Sequence, residues 1–129
     1  MNATTRKTVA VVGASADRAK YSNKSVRAHL LQGWEVYPVN PRGGRIEGLK
    51  VYRSLDEIAV RLDRVTLYLP PAVGITVLPA IAAAQPAEFF VNPGAESAGL
   101  VAEAKKLGLE PLLACSIVAL GVHPGDFRG

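Results

Sequence analysis

Cysteine occurs once in these 129 residues, at Cys115, so no internal disulfide framework can form and a reducing compartment, the cytoplasm, is the expected setting. Histidine occurs twice, at His29 and His123, and with a single cysteine this excludes a metal-ligand cluster of the usual spacing. Aromatic residues make up 6% of the chain. They do not interleave with the basic residues, and neither helix-turn-helix nor zinc-ligand spacing is present, so nucleic acid is not the expected partner. No apolar run approaches the roughly 18 residues of a membrane helix, so no membrane partner is expected either. Arg6 and Lys7 precede an apolar stretch that ends in Ala14, Ser15 and Ala16, which imitates a cleaved signal. The stretch is too short and too rich in valine for one, and it ends on a glycine suited to a strand-to-loop edge.

What the chain does have is an ordinary globular composition, 49% hydrophobic and 20% charged. The length fits one domain over residues 1–129, enough for roughly two thirds of the unfolded surface to be buried. The net charge of +4 is unevenly placed. Residues 1–53 carry ten Lys or Arg against three Asp or Glu, and residues 54–129 carry five against eight. The excess gathers at Arg18, Lys20, Lys24, Arg27, Arg42 and Arg45, which would attract a polyanion or form a solvated basic face.

Strand-like and helix-like segments alternate. Strands are predicted at 7–13, 35–39, 64–69, 88–91 and 110–115. The first helix is expected over 22–32, with Val26, Leu30 and Leu31 as its apolar stripe and Gly33 closing it. A loop rich in glycine (Gly43, Gly44, Gly48) follows the second strand, and Ser54 with Glu57 matches a capping box for a short helix. A further helix places Val73, Val77, Leu78 and Ile81 at helical spacing, and the last runs over 95–107. The tail, 116–129, lacks a clear period and reads as an irregular covering segment. This alternation predicts an α/β, doubly wound, three-layer fold of about five parallel strands with helices on both faces.

In such a sheet ligands bind outside the carboxyl ends of the strands, where strand order reverses. The loops beginning at Gly13, Asn40, Pro70, Asn92 and Cys115 should all lie on that edge. Their composition points to a nucleotide but departs from the NAD type. After Gly13 the second and third glycine positions of a dinucleotide fingerprint hold Ser15 and Arg18. After the second strand, Asn40, Pro41 and Arg42 stand where an acid would meet the ribose hydroxyls. The preferred nucleotide therefore carries an extra phosphate. Ser22 to Lys24 would add a helix N-terminus and an ammonium, with Ser22 also suited to an N-cap role.

The segments GAS after the first strand, PVNPR after the second, GLKVYRSLDEI, YLPP at the end of the third, and a cysteine ending the fifth resemble the small stand-alone CoA-binding proteins. These are similar to the N-terminal, Rossmann-like domain of the succinyl-CoA synthetase α subunit. The resemblance runs from about Thr8 to Leu120. It implies that Gly13, Ala14 and Ser15, with Tyr21 and Ser22, face the pyrophosphate of coenzyme A. It further implies that Asn40 and Pro41 border the adenosine, that Arg42 meets the ribose phosphate, and that Leu69, Pro70 and Pro71 wall the adenine or pantetheine. Asn92, Pro93 and Gly94 would stand at the pantetheine end, where the sequence departs from many relatives.

Arg42 can bind phosphate through two parallel hydrogen bonds and stays charged at any relevant pH, or it is a solvent-exposed loop residue. Cys115 is either a small apolar strand end or a thiol near the ligand's own, open to a mixed disulfide or an acyl group. Catalytic equipment is otherwise thin: His123 does not match the phosphorylated histidine of the synthetase, and Asp56 with Glu57 reads as helix N-terminal charge. Three functions stay open. One is a CoA or short acyl-CoA binding module without evident catalysis, another a small NADP-linked reductase, and the third a ligand-free partner subunit of a larger enzyme. Trp34 and the exposed helix faces leave room for a homodimer.

Overall fold

The computed structural model describes residues 6–129; of the expected domain, residues 1–5 lie outside the described residues. Five parallel strands form the main sheet: β1 (Thr8–Val12), β2 (Glu35–Val39), β5 (Arg64–Leu67), β6 (Glu88–Val91) and β7 (Pro111–Leu113). Their order across the sheet is β2-β1-β5-β6-β7. All four pairings are parallel, with Val9 opposite both Val36 and Arg64. The α/β, Rossmann-like architecture is as the alternation predicts.

Helix α1 (Tyr21–Leu31) packs on one face with α4 (Ser116–Ala119), and α2 (Pro71–Ala84) packs with α3 (Ala98–Lys106) on the other. The period of two along β1 divides the core accordingly. Ala10 and Val12 join Leu67, Leu78, Ile81 and Leu100, while Val9 and Val11 join Val26, Trp34 and Val36. The chain thus changes faces between β1 and β5, where a crevice opens at the carboxyl edge.

Several elements differ from expectation, each for a local reason. Helix α1 begins at Tyr21, with Lys20 as its N-cap and no side-chain capping bond; Ser22 is buried inside the first turn. The preceding turn causes this, because Asp17 accepts N–H groups from Ala19 through its carboxylate and from Lys20 through its carbonyl, 3.0 and 3.1 Å. The helix also does not bury its predicted stripe. Val26 is buried but Leu31 is 70% exposed, and the inner face is Ser22, Asn23, Ser25, Ala28 and His29.

The glycine-rich loop contains a small hairpin, β3 (Arg45–Ile46) with β4 (Leu49–Lys50). Glu47 and Gly48 form its two-residue turn, with φ of 51° and 78°, the pattern of a type I′ hairpin. The capping box at Ser54 does not form. Residues Leu55–Glu57 make one 3₁₀ turn, the Ser54 hydroxyl turns to Asp56, and Glu57 accepts the Arg53 N–H at 2.8 Å.

In α2, Gly74, Leu78 and Ile81 face the core, whereas Val73 is 47% exposed. Helix α3 starts at Ala98, not Ala95, because Ser97 Oγ accepts the Leu100 N–H at 3.1 Å and fixes the start there. Strands β5 and β7 stop two residues short of their predicted ends, and the tail holds α4 and a 3₁₀ turn at Pro124–Asp126. Trp34 is buried, so it offers no dimer surface. Among the described residues no helix is long and apolar enough to cross a membrane.

Candidate functional site

The first and second loops meet at one mouth. Gly13 and Ala14 both donate their N–H to Val39 O, at 3.0 and 3.1 Å. Asn40 Nδ2 donates to Ala14 O at 2.8 Å, and Asn40 Oδ1 accepts the Arg42 N–H at 2.9 Å. The end of β5 closes on the same point. Gly13 has φ of +88°, and a Cβ there would lie 2.7 Å from Tyr68 O and 3.0 Å from Leu69 Cδ2. Only glycine fits this crossing of the chain beside the β5 end. The backbone N–H groups of Gly13 and Ala14 are thereby engaged within the protein, and Ser15 Oγ accepts the Asp17 N–H at 3.0 Å. Helix α1 carries no acidic residue in its first turn and no side-chain cap, so its positive end faces this edge unneutralised by its own residues.

The basic cluster is not a uniform patch. Arg27 is internal wiring: Nε donates to Asn23 Oδ1 at 2.8 Å, Nη2 to Arg18 O at 2.8 Å and Nη1 to Arg128 O at 2.7 Å, with Phe127 packed under the guanidinium. It fastens the tail and the 15–20 loop to α1. Arg18 pairs with Glu47 at 2.6 Å, and Arg45 donates to Gly48 O at 3.2 Å. Arg42 is exposed and Lys24 lies over the Tyr21 ring.

The other half of the edge encloses a cavity of about 450 Å³, lined by Tyr21, Lys24, Tyr68, Asn92, Cys115 and His123, among others. The volume is in the range of small-molecule sites. Its floor is a saturated polar network. Asn92 is buried; Nδ2 donates to Thr66 Oγ1 and Leu67 O at 2.6 and 2.9 Å, and Oδ1 accepts the Ser116 N–H at 2.9 Å. Ser116 Oγ in turn meets Thr66 Oγ1 at 2.8 Å and the Tyr68 hydroxyl at 3.2 Å. Burial pushes the Tyr68 hydroxyl above the ordinary tyrosine range, against the pull of these hydrogen bonds. Cys115 occupies the N-cap position of α4 without a side-chain capping bond and is half-buried against the cavity. His123 Nδ1 accepts the Gly125 N–H at 2.9 Å, which leaves Nε2 as the nitrogen free to meet a ligand.

Of the residues singled out from sequence, Gly13, Ala14, Asn40, the Arg42 backbone and Leu69 are joined at the mouth by these contacts, with Ser15, Pro41, Pro70 and Pro71 next to them along the chain. Ser22 is buried in the first turn of α1, and Tyr21, Lys24, Asn92 and Cys115 line the cavity. Gly94 does not line it; its N–H donates to Glu96 at 2.9 Å. Thr66, Tyr68, Ser116 and Glu47 escaped the sequence reading. Their spacing carries no periodic or motif signal, since each matters through a partner at least 24 positions away.

Comparison with known proteins fits this arrangement. Residues 7–121 match the family described as CoA binding domain. Two curated relatives, the α subunits of ADP-forming acetate–CoA ligases I and II from Pyrococcus furiosus, are 39% and 37% identical over 70 and 63 residues. These matches cover 50% and 48% of this chain but only 15% and 14% of the relatives. A conserved hypothetical protein from Pyrococcus furiosus superposes with a TM-score of 0.78 at 37% identity, over 89% of this chain and 99% of its own. A dinucleotide-forming acetyl-coenzyme A synthetase 1 from Ca. Korarchaeum cryptofilum, in complex with phosphate and ADP, gives 0.72 at 27% identity. There the match spans 84% of this chain and 25% of the other. The sheet order, the joined loops and the match over residues 7–121 agree: this chain belongs to the CoA binding domain family.

Proposed function

We propose that this chain, as one cytoplasmic domain, holds coenzyme A or a short acyl-CoA along the carboxyl edge of its sheet and catalyses no reaction of its own. The observation that carries this reading is the 2.8 Å bond from Asn40 to Ala14, which sets the Gly13–Ser15 and Asn40–Arg42 loops side by side at one mouth. On this reading the adenosine lies against Asn40, Pro41 and the Leu69–Pro71 wall, and the exposed Arg42 guanidinium takes the ribose phosphate. The pyrophosphate meets Ser15 and the start of α1 at Tyr21 and Lys24, while Ser22, buried in that turn, contributes only its backbone N–H. The pantetheine arm runs into the cavity, with its thiol end toward Cys115.

Titration calorimetry with CoA, dephospho-CoA, NADP and ATP tests the assignment. CoA is expected to bind best, and Arg42→Ala is expected to weaken CoA roughly tenfold or more while changing dephospho-CoA little, as for the loss of a charge-assisted pair. Equal losses for both ligands would remove Arg42 from the phosphate site, and binding of NADP with turnover of its reduced form would replace the module with a reductase. A partnership with a larger enzyme is a second reading. It is favoured by one observation: the curated relatives are about seven times longer than the segment matched here.

A further inference from the structure

The hairpin tip places a carboxylate on the loop that this reading assigns to the pyrophosphate. Glu47 is the first residue of the two-residue turn and has φ of 51°, a conformation suited to asparagine or glycine and costly for glutamate. Its side chain folds back across the gap to α1, where Oε1 receives a hydrogen bond from Arg18 Nη1 at 2.6 Å and Oε2 one from Asn23 Nδ2 at 3.2 Å. Asn23 is fully buried, and its other amide hydrogen goes to Ser15 O at 2.9 Å. Burial works against the Glu47 charge, but the bonds from Asn23 and Arg18 and the nearby Arg27 hold its carboxyl below the ordinary range. It is therefore ionised at neutral pH.

The alternatives for this role are few. Residues 1–53 contain three acids. Asp17 is turned into its own loop, accepting the Ala19 N–H, and Glu35 is bonded to Tyr37 at the start of β2. Helix α1 supplies no acid of its own. The carboxylate that meets Arg18 and Asn23 is thus delivered by the hairpin, 24 positions beyond Asn23, while Asp17 stays bonded within its own loop.

We propose that Glu47 is a built-in competitor: in the empty protein its carboxylate ties Arg18 and the phosphate loop to the hairpin, and the ligand's pyrophosphate must displace it. This rests on the site reading given above. The pyrophosphate bridge outcompetes a carboxylate here because its two phosphates together bring more charge and more acceptor oxygens to the same donors than one carboxylate does. Released from Glu47, Arg18 becomes available to the ligand, and the hairpin is freed from α1. The resting state is a latched one in which affinity is held down by a residue of the protein itself.

The test is titration of CoA into wild type, Glu47→Gln and Glu47→Gly, with thermal melts on each. The glycine variant removes the carboxylate while suiting the left-handed turn, so it keeps the hairpin intact. Both variants are expected to bind CoA roughly three- to tenfold more tightly than wild type, the size of one partly exposed charge-assisted contact. Glu103→Gln, on α3 at the opposite face, is expected to leave affinity unchanged. Unchanged or weaker binding in both Glu47 variants, with their melts intact, would overturn the latch and make Glu47 a support for the loop. Failure of wild type and both variants to bind CoA at all would instead bring down the site reading, and the latch with it.

Discussion

The two faces of the sheet are held by different physics. On the α2 and α3 face the core is aliphatic: Leu67, Leu78, Ile81, Val91 and Leu100 are closed off from solvent, and the close approach of α2 to the sheet depends on Gly74, where a Cβ would come within 3.0 Å of Leu100 and 3.2 Å of Leu67. On the α1 face the helix buries serine, asparagine and histidine, and the sheet beneath it buries an arginine. Arg64 opens β5 directly opposite Glu88 on β6 and bonds to it through Nε and Nη2 at 3.0 and 2.9 Å. Its guanidinium is sandwiched between Trp34 and Phe90, 4.5 and 4.6 Å from the ring centres, and Nη1 reaches His29 Nε2 at 3.3 Å. A face built this way depends on partners, whereas the aliphatic face depends on volume. The polar face is also the one that meets the candidate site, through Asn23, Arg27 and the tail.

The strongest way to break this contrast is to remove Arg64. Arg64→Ala strips a buried cation from two aromatic rings and leaves Glu88 and His29 without their partner, so a loss of about 3 kcal/mol is expected. Arg61→Ala serves as the reference, since its side chain is 76% exposed and lies 3.9 Å from Asp63. That change should cost no more than about 0.5 kcal/mol. Urea denaturation of both variants measures the difference, and equal midpoints would mean that the arginine and its partners add nothing to the stability of this face.

A second effect follows from the same cluster. Burial, with the adjacent Arg64 charge adding to it, drives the His29 imidazole down to about 4, against a smaller upward pull from its bond to Ser25 O at 2.8 Å. The folded protein therefore keeps His29 neutral while the unfolded chain protonates near pH 6.5. The unfolded state binds the extra proton first, so this site costs stability as pH falls below about 6.5, and the loss levels off near pH 4 once the folded form also protonates. Its full extent is about 3 kcal/mol. Chemical denaturation at intervals from pH 7.5 to 4 should show that slope in wild type and lose most of it in His29→Gln. A slope that survives the substitution would assign the acid sensitivity to other groups.

The same division explains how much of the molecule could be read in advance. Strands 35–39 and 88–91 match β2 and β6 to the residue, because apolar runs bounded by turn residues leave little choice. The helix of Leu78 and Ile81 is legible from its spacing. Helix α1 is legible in position, to within one residue at each end, but not in its buried face. Leu30 and Leu31 mark a stripe by hydropathy while the packing, apart from Val26, instead rewards the residues that reach Arg27, Arg64 and the 15–20 loop. Most of the candidate site was legible as loops, since Gly13, Asn40 and Pro70 announce strand ends. The partners that join those loops were not: Glu47 reaches Arg18 across 29 positions and Ser116 reaches Thr66 across 50, distances over which no local pattern extends.

The starts of α3 and α1 differ in the same way, by a smaller amount. Helix α3 on the aliphatic face is closed by Ser97, whose hydroxyl holds the Leu100 N–H, so Ser97→Ala should cost about 1 kcal/mol, the usual value of an N-cap. Helix α1 has no such cap, and Ser22 sits within its first turn. Ser22→Ala is therefore expected to cost less than half as much, although the residue has the sequence context of a cap. Thermal melts of the two variants separate the readings: a loss at Ser22 equal to that at Ser97 would restore the capping role and close the α1 terminus. A small loss keeps the first-turn N–H groups of α1 free for an anion, which is what a helix pointed at a binding edge requires.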